Sequence, residues 1–303
     1  MSLALALAAC HGTPTRPPGP APTPAQPSQS ASPSPGGSGG PASPVVLIVM
    51  ENKEFDRVIG SSDAPYLNEL ARTSTLLTDD HAVTHPSLPN YLALLGGSNF
   101  GISSNCTTCT VHAPNLADQL DAAGVSWKAY MEDLPSPCFT GAAAGRYARK
   151  HDPFVYFDDI RDDPGRCRKV VPFSELASDL AANRLSAFSW ITPNLCDDTH
   201  DCPVSDGDGW LREWVPRLLV AVGPNGIVVV TYDEGSTNEG CCGHAAGGRV
   251  ATVIAGPGAR RRLTLRSAYD HYSLLRLIED NWGLGHLGGA ACRCTPSITG
   301  WRP

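Results

Sequence analysis

Two short, unbroken apolar runs dominate the chain: Val45-Val46-Leu47-Ile48-Val49-Met50 and Ile227-Val228-Val229-Val230-Thr231-Tyr232. Runs of this length without polar alternation read as strands covered on both faces, as in a parallel sheet. Weaker patterns predict strands over residues 74–78, 125–130, 186–192 and 249–255. Helical periodicity predicts helices over 65–72, with Leu67 and Leu70 facing inward, and over 115–123 and 173–183. Another is expected over 209–222, with Trp210, Trp214 and Leu218 facing inward, and a last one over 269–282. A further helix opens at Ser87, has Pro89 in its first turn and is ended by Gly96, the expected asymmetry of helix ends. Residues 132–171 are rich in Gly, Pro, Asp and aromatics without a period, and read as an irregular insertion near the mouth of a site. Strands alternating with helices predict an α/β fold with a mainly parallel sheet covered on both sides. No internal repeat is visible.

The polar residues that interrupt this pattern carry the chemistry. Glu51-Asn52 follows the first run and Asp233-Glu234 follows the second. In open α/β sheets ligands sit just beyond the carboxyl ends of the strands. Carboxylates gathered on that rim point to a divalent metal ion. Ser87, at a helix start beside free N–H groups and the positive end of the helix dipole, is the candidate nucleophile; by position alone a plain helix-cap serine is the commoner case. A third cluster begins where the strand over 186–192 ends and contains Asp197, Asp198 and His200, suited to metal ligation or proton transfer. Asp208 reads as a helix cap that could join the site. His271 opens the last helix, and Lys53 and Arg249 are cations able to reach phosphate oxygens.

Composition adds location. Hydrophobic residues make up 42% of the 303, enough for a sizeable core, and the net charge of −7 offers no basic face for nucleic acid. Residues 1–10 are apolar and end in Leu7-Ala8-Ala9-Cys10, which resembles the lipobox of a bacterial lipoprotein signal. Residues 11–43 are almost wholly Pro, Gly, Ser, Ala and Thr and read as a disordered tether, leaving 44–303 as the folded domain. No segment after Cys10 is long enough to span a bilayer. This organisation implies an extracytoplasmic protein, held at the outer face of the cell membrane through a lipidated Cys10, or secreted. Setting Cys10 aside, the remaining cysteines are even in number, which with an export signal argues for disulfides. Cys106 with Cys109 and Cys196 with Cys202 are plausible local pairs, a zinc site at Cys106-x-x-Cys109 being the competing reading.

Several spaced motifs then coincide. Glu51-Asn52-Lys53-Glu54-Phe55-Asp56, Thr84-His85-Pro86-Ser87-Leu88-Pro89-Asn90-Tyr91, Asp198-Thr199-His200-Asp201, Tyr232-Asp233-Glu234-Gly235 and Tyr269-Asp270-His271-Tyr272-Ser273 resemble the acid phosphatase and phospholipase C phosphoesterase family, of the alkaline-phosphatase-like superfamily. The resemblance runs from about residue 44 to 287. It implies a three-layer α/β sandwich and a divalent metal bound by Glu51, Asn52, Ser87, Asp233 and Glu234. It further implies Ser87 as nucleophile and His85, His200 and His271 in contact with phosphate, metal or leaving group. Asp198 and Lys53 complete the expected substrate-binding set, with the choice between Asp197 and Asp198 left open. The expected activity is hydrolysis of small phosphate monoesters through a phosphoserine, with His200 as proton donor. The alternatives are a phosphodiesterase or phospholipase C acting on phospholipids, and a catalytically inactive anion-binding lipoprotein.

Overall fold

The computed structural model describes residues 43–303; the signal-like segment 1–10 and residues 11–42 of the tether lie outside the described residues. Nine strands form one sheet: β1 (Val45–Met50), β2 (Thr75–His81), β3 (Trp127–Met131), β4 (Val170–Pro172), β5 (Phe188–Thr192), β6 (Ile227–Tyr232), β7 (Arg249–Ala255), β8 (Leu263–Leu265) and β9 (Tyr269–Asp270). Their order is β8-β2-β7-β6-β1-β5-β3-β4, with β9 also on β2. Every pairing is parallel except those of β7, which runs against both β2 and β6.

The strand pattern explains the layers. Along β1, Val45, Leu47 and Val49 belong to one core, while Val46, Ile48 and Met50 belong to the other. Each face of a strand carries every second side chain, so a run apolar at all positions must be covered twice. One cover holds α2 (Ser87–Gly96), α3 (Leu116–Ala122) and α6 (His271–Trp282). The other holds α1 (Pro65–Thr73), α4 (Ser174–Ala181) and α5 (Val204–Ala221). This is the expected three-layer α/β sandwich with a mainly parallel sheet. No helix of the described residues is long and apolar enough to cross a membrane.

Most element boundaries fall within two residues of the sequence reading; three differences bear on the site. α5 begins at Val204 rather than 209 and takes Gly207 and Gly209, which disfavour helix, into its first turns. A side chain at Gly207 would press on Thr199 Cγ2 at 2.4 Å and on Met50 Cε at 3.0 Å, so this helix is glycine-bearing where the site loop packs on it. β2 continues through Asp79-Asp80-His81 instead of stopping at 78, since the buried Asp80 accepts a hydrogen bond from Thr252 on β7. α6 starts at His271, with Asp270 as its cap, accepting from Ser273 N–H at 2.8 Å. Asp208 does cap a helix, but not its own: it accepts from Tyr66 and Leu67 N–H at 3.0 and 2.8 Å, closing the start of α1.

The chain reaches β1 from the amino end of the strands, where Asn281 of α6 donates to the Ser43 carbonyl at 2.8 Å. The cysteines pair as Cys106–Cys109, Cys138–Cys167, Cys196–Cys202, Cys241–Cys242 and Cys292–Cys294, which leaves no thiols at 106 and 109 for zinc.

The Asp80–Thr252 contact continues to Thr231 of β6 at 2.6 Å, tying three strands beneath the site. Burial, with the repulsion of Asp270 behind it, pushes the Asp80 carboxyl up to about 7. The folded state therefore holds this proton through a range in which the unfolded chain has lost it. Stability must fall as pH rises from the ordinary aspartate value towards 7, and level off above. Asp80→Asn removes this slope, and melting curves should show it gaining on the wild type across that window, by roughly 2–4 kcal/mol at neutral pH.

Candidate active site

Strand parity builds the centre of the site. Met50 and Tyr232 are register partners on adjacent parallel strands, and both point away from α2. The next residues, Glu51 and Asp233, therefore lie side by side at the carboxyl ends of β1 and β6 and turn towards α2. Asp233 N–H donates to Met50 O at 2.8 Å, and Asn52 N–H donates to Asp233 Oδ1 at 3.0 Å. Asn52 takes the left-handed conformation, with φ of 55°, which asparagine tolerates better than most residues.

α2 delivers the hydroxyl. The loop before it is folded on Asn90, whose side chain accepts from Thr84 N–H at 3.0 Å and donates to Thr84 O at 2.7 Å. Asn105 caps Leu88 N–H at 3.0 Å. Ser87 Oγ is left 3.1 Å from Glu51 Oε2 and 3.2 Å from Glu234 Oε1, within donating distance of both. A hydroxyl carries one hydrogen, so these carboxylates cannot both be satisfied by it.

The electrostatics are dominated by crowded acids. Burial, followed by repulsion from Glu51 and Glu234, drives the Asp233 carboxyl well above the usual range. Burial also raises Glu234, opposed by its contact with His85. Burial acts in the same sense on Glu51, but the attraction of His151 outweighs it and holds that carboxyl low. Asp233 Oδ2 is buried without any hydrogen-bond partner. Two carboxylates at one hydroxyl, with the orphaned oxygen of Asp233 beside Glu51, offer oxygen donors of the kind that suit a divalent cation. Of the expected ligand set, Glu51, Ser87, Asp233 and Glu234 would offer these oxygens, while Asn52 is placed only by its backbone N–H on Asp233; a separate compact set, Glu51, His151 and His200, brings ligand atoms within 4.8 Å of one another.

Glu51 has a second face. Its Oε1 lies 3.0 Å from His151 Nε2, and His151 Nδ1 lies 3.3 Å from Asp198 Oδ2. Burial alone would lower the His151 pKa, but Glu51 and Asp198 raise it to about 9. Tyr91 of α2 stacks on the imidazole, ring centroids 5.3 Å apart. His200 stands beside it: its backbone N–H donates to Asp198 Oδ1 at 2.7 Å, and Lys150 Nζ lies 2.8 Å from its Nε2. With Lys150 donating to Nε2, Nδ1–H is the nitrogen that faces Asp201 Oδ1 at 2.6 Å. Lys53 donates to Thr199 O at 2.6 Å and is lowered by burial against the pull of Asp198, Glu51 and Asp233.

The sequence-predicted residues thus divide into those that meet and those that support. Glu51, Ser87, Asp233 and Glu234 converge, with the Asn52 backbone on Asp233. Asp198 faces His151, whereas Asp197 turns to Asn194 at 3.0 Å and to Glu132. His85 has both nitrogens committed, one to Glu234 and the other to Thr237 O at 2.9 Å. His271 is buried and donates from Nε2 to Asp233 O at 2.6 Å, bracing the strand end; burial lowers its pKa to about 4. Arg249 lies over the Phe55 ring, away from the acids. The disulfide Cys196–Cys202 closes the loop that carries Asp198 and His200. Sequence reasoning missed His151, Lys150 and Tyr91. The available signal was Arg149-Lys150-His151-Asp152, a compact run of ionisable residues inside an otherwise aromatic and glycine-rich insertion.

Residues 61–285 match the model of the Phosphoesterase family. A protein of Mycobacterium tuberculosis named phosphatidylinositol-3-phosphatase is 35% identical over 252 residues, covering 81% of this chain and 79% of the relative. An acid phosphatase of Aspergillus fumigatus is 31% identical over 256 residues, covering 80% of this chain but only 55% of the fungal protein. Among solved structures, an alkaline phosphatase superfamily protein from Vibrio parahaemolyticus superimposes with a TM-score of 0.55 at 13% identity, over 81% of this chain and 67% of that one, a likeness of fold.

The crowding of carboxylates has a measurable consequence without any substrate. Asp233→Asn keeps an acceptor for Asn52 N–H while removing one ionisable carboxyl from the crowded cluster. In EDTA it should raise Tm by several degrees, corresponding to on the order of 1–3 kcal/mol. Added Mn2+ should stabilise the wild type and leave the variant nearly unmoved, as read by thermal melts in both conditions.

Proposed function

Since this chain belongs to the Phosphoesterase family and is a hydrolase of phosphoric ester bonds, we propose that it is an exported, divalent-metal-dependent phosphomonoesterase that works through a phosphoserine at Ser87. The observation that carries this reading is the Ser87 hydroxyl held between Glu51 and Glu234 at the start of a buried helix. Both relatives described above are named phosphatases, which supports removal of phosphate from monoesters as the reaction. The paired cysteines support an oxidising, extracytoplasmic location. Attachment through a lipidated Cys10 is part of the same proposal and rests on the sequence of residues 1–10 alone.

Each residue has a task in this mechanism. Bound among Glu51, Asn52, Ser87, Asp233 and Glu234, a divalent cation supplies Lewis-acid chemistry, lowering the serine pKa and offsetting phosphoryl charge. Ser87 Oγ attacks phosphorus in line as its proton passes to Glu234 or Glu51, within 3.2 Å. The bond between phosphorus and the ester oxygen breaks with negative charge on the equatorial oxygens. His151, Lys150 and Lys53 set positive charge on that side of Glu51. The leaving alkoxide takes its proton from the Lys150–His200 pair, where Nζ and Nε2 share a hydrogen at 2.8 Å. Water then cleaves the serine–phosphorus bond, and Ser87 recovers its proton.

Ser87→Ala should lower kcat on p-nitrophenyl phosphate at least about 1,000-fold without changing the melting curve appreciably, and should form no phosphoenzyme with labelled substrate. EDTA should abolish turnover of the wild type, and restoration metal by metal identifies the ion. The substrate class is tested beside it with bis-p-nitrophenyl phosphate and phosphatidylcholine: faster hydrolysis of either than of the monoester would replace the monoesterase with a phosphodiesterase or phospholipase C.

A further inference from the structure

Glu54 belongs to the first motif of the chain yet touches neither Ser87 nor its acidic neighbours, and it is almost wholly buried. Its Oε2 accepts from Ser236 N–H at 2.6 Å, Thr237 N–H at 3.2 Å and the Ser236 hydroxyl at 3.4 Å. Its Oε1 accepts from the Thr237 hydroxyl at 2.8 Å and Arg249 N–H at 2.9 Å. Burial opposes ionisation here, but these bonds outweigh it and hold the carboxyl below its ordinary value. A carboxylate taking three backbone N–H groups fixes the chain that supplies them far more tightly than a surface pair could.

The backbone around it is shaped to let the carboxylate in. A Cβ at Gly235 would lie 2.3 Å from Glu54 Oε2, and one at Gly248, where φ is +89°, would lie 3.0 Å from it. Gly235 N–H donates to Gly247 O at 2.8 Å, closing the base of the loop between them. The turn held in this way begins immediately after Glu234. Its Thr237 carbonyl receives His85 Nε2 at 2.9 Å, and the other nitrogen of His85 meets Glu234, whose Oε1 faces Ser87 Oγ at 3.2 Å.

We propose that Glu54 is a positioning residue for the reaction: by clamping Ser236, Thr237 and Arg249 it fixes His85 and so the orientation of the Glu234 carboxylate towards Ser87. This rests on the functional reading above, in which Glu234 serves both the hydroxyl and the metal. Removing the clamp leaves the fold and the substrate-facing surface in place and lets the Glu234 carboxylate turn. The loss is then in kcat and in metal affinity rather than in KM. Glutamine cannot replace Glu54, because its amide nitrogen meets N–H donors on whichever side it lies.

The experiment compares wild type, Glu54→Gln and the surface control Glu69→Gln. Far-UV circular dichroism reads folding, steady-state kinetics use p-nitrophenyl phosphate, and Mn2+ titration of the metal-free proteins is read by the EPR signal of the free ion. Glu54→Gln should lose about 10–100-fold in kcat and at least about 10-fold in Mn2+ affinity, the range for groups that orient metal ligands. KM should stay within about twofold, as expected where ground-state substrate binding is untouched. Glu69→Gln should match the wild type. A folded Glu54→Gln protein with wild-type kcat or wild-type Mn2+ affinity overturns the proposal, even if its Tm is lower. Should Glu54→Gln fail to fold, Thr237→Val removes the hydroxyl's bonds to Glu54 and to Glu239 N–H but keeps the three backbone donors, and should reduce both quantities by about 3–10-fold, the effect of losing one charge-assisted contact of the clamp; no reduction overturns the proposal. A wild type that hydrolyses no phosphate ester refutes the functional reading instead, and the Mn2+ comparison still tests Glu54.

Discussion

The Glu51 carboxylate is the joint of this site. One oxygen faces the Ser87 hydroxyl and the other faces His151, so a single buried group separates an acidic half from a cationic half. Its position is not adjustable: it is the first residue beyond a strand covered on both faces, with its backbone N–H on Asp198 O at 2.9 Å and its carbonyl accepting from the Thr199 hydroxyl at 2.8 Å. The loop that carries Asp198 and His200 is therefore docked on the same residue that meets the nucleophile. A shift of β1 by one register step would turn Glu51 to the opposite layer and dissolve both halves at once.

That dependence explains why so much of the centre was legible. β1 and β6 were read to their ends because a buried parallel strand must be apolar throughout, and the polar residue that stops it is the rim residue. Glu51, Asp233 and Glu234 were found for that reason. Ser87 was found because Pro and Gly punctuate α2 so clearly. What remained hidden has no periodic signature. His151 comes from an insertion of short turns and reaches Glu51 only through tertiary packing against Tyr91. Asp208 caps α1 across 142 residues of chain, where a local reading could assign it only to its own helix. Glu54 carries a Glu inside a recognisable motif, but its partners lie more than 180 residues away.

The roles of the histidines separate on the same grounds. Residue type and motif order placed His85, His200 and His271 near one another, and they do surround the acids. Which nitrogen is free, however, is decided by neighbours that no motif contains. Thr237 O occupies one nitrogen of His85, Lys150 meets Nε2 of His200, and the Asp233 carbonyl takes His271. A histidine in a motif is therefore a statement about location, and its chemistry is set by what the tertiary fold leaves unpaired.

The Ser43 carbonyl, held by Asn281, marks the amino end of β1, and Glu51 marks the other. Pro44 and the six residues of β1 separate the two, a span of about 25 Å. A support coupled directly at Ser43 would consequently lie at the opposite end of β1 from the reactive mouth, so surface coupling at that residue leaves the mouth open to dissolved esters.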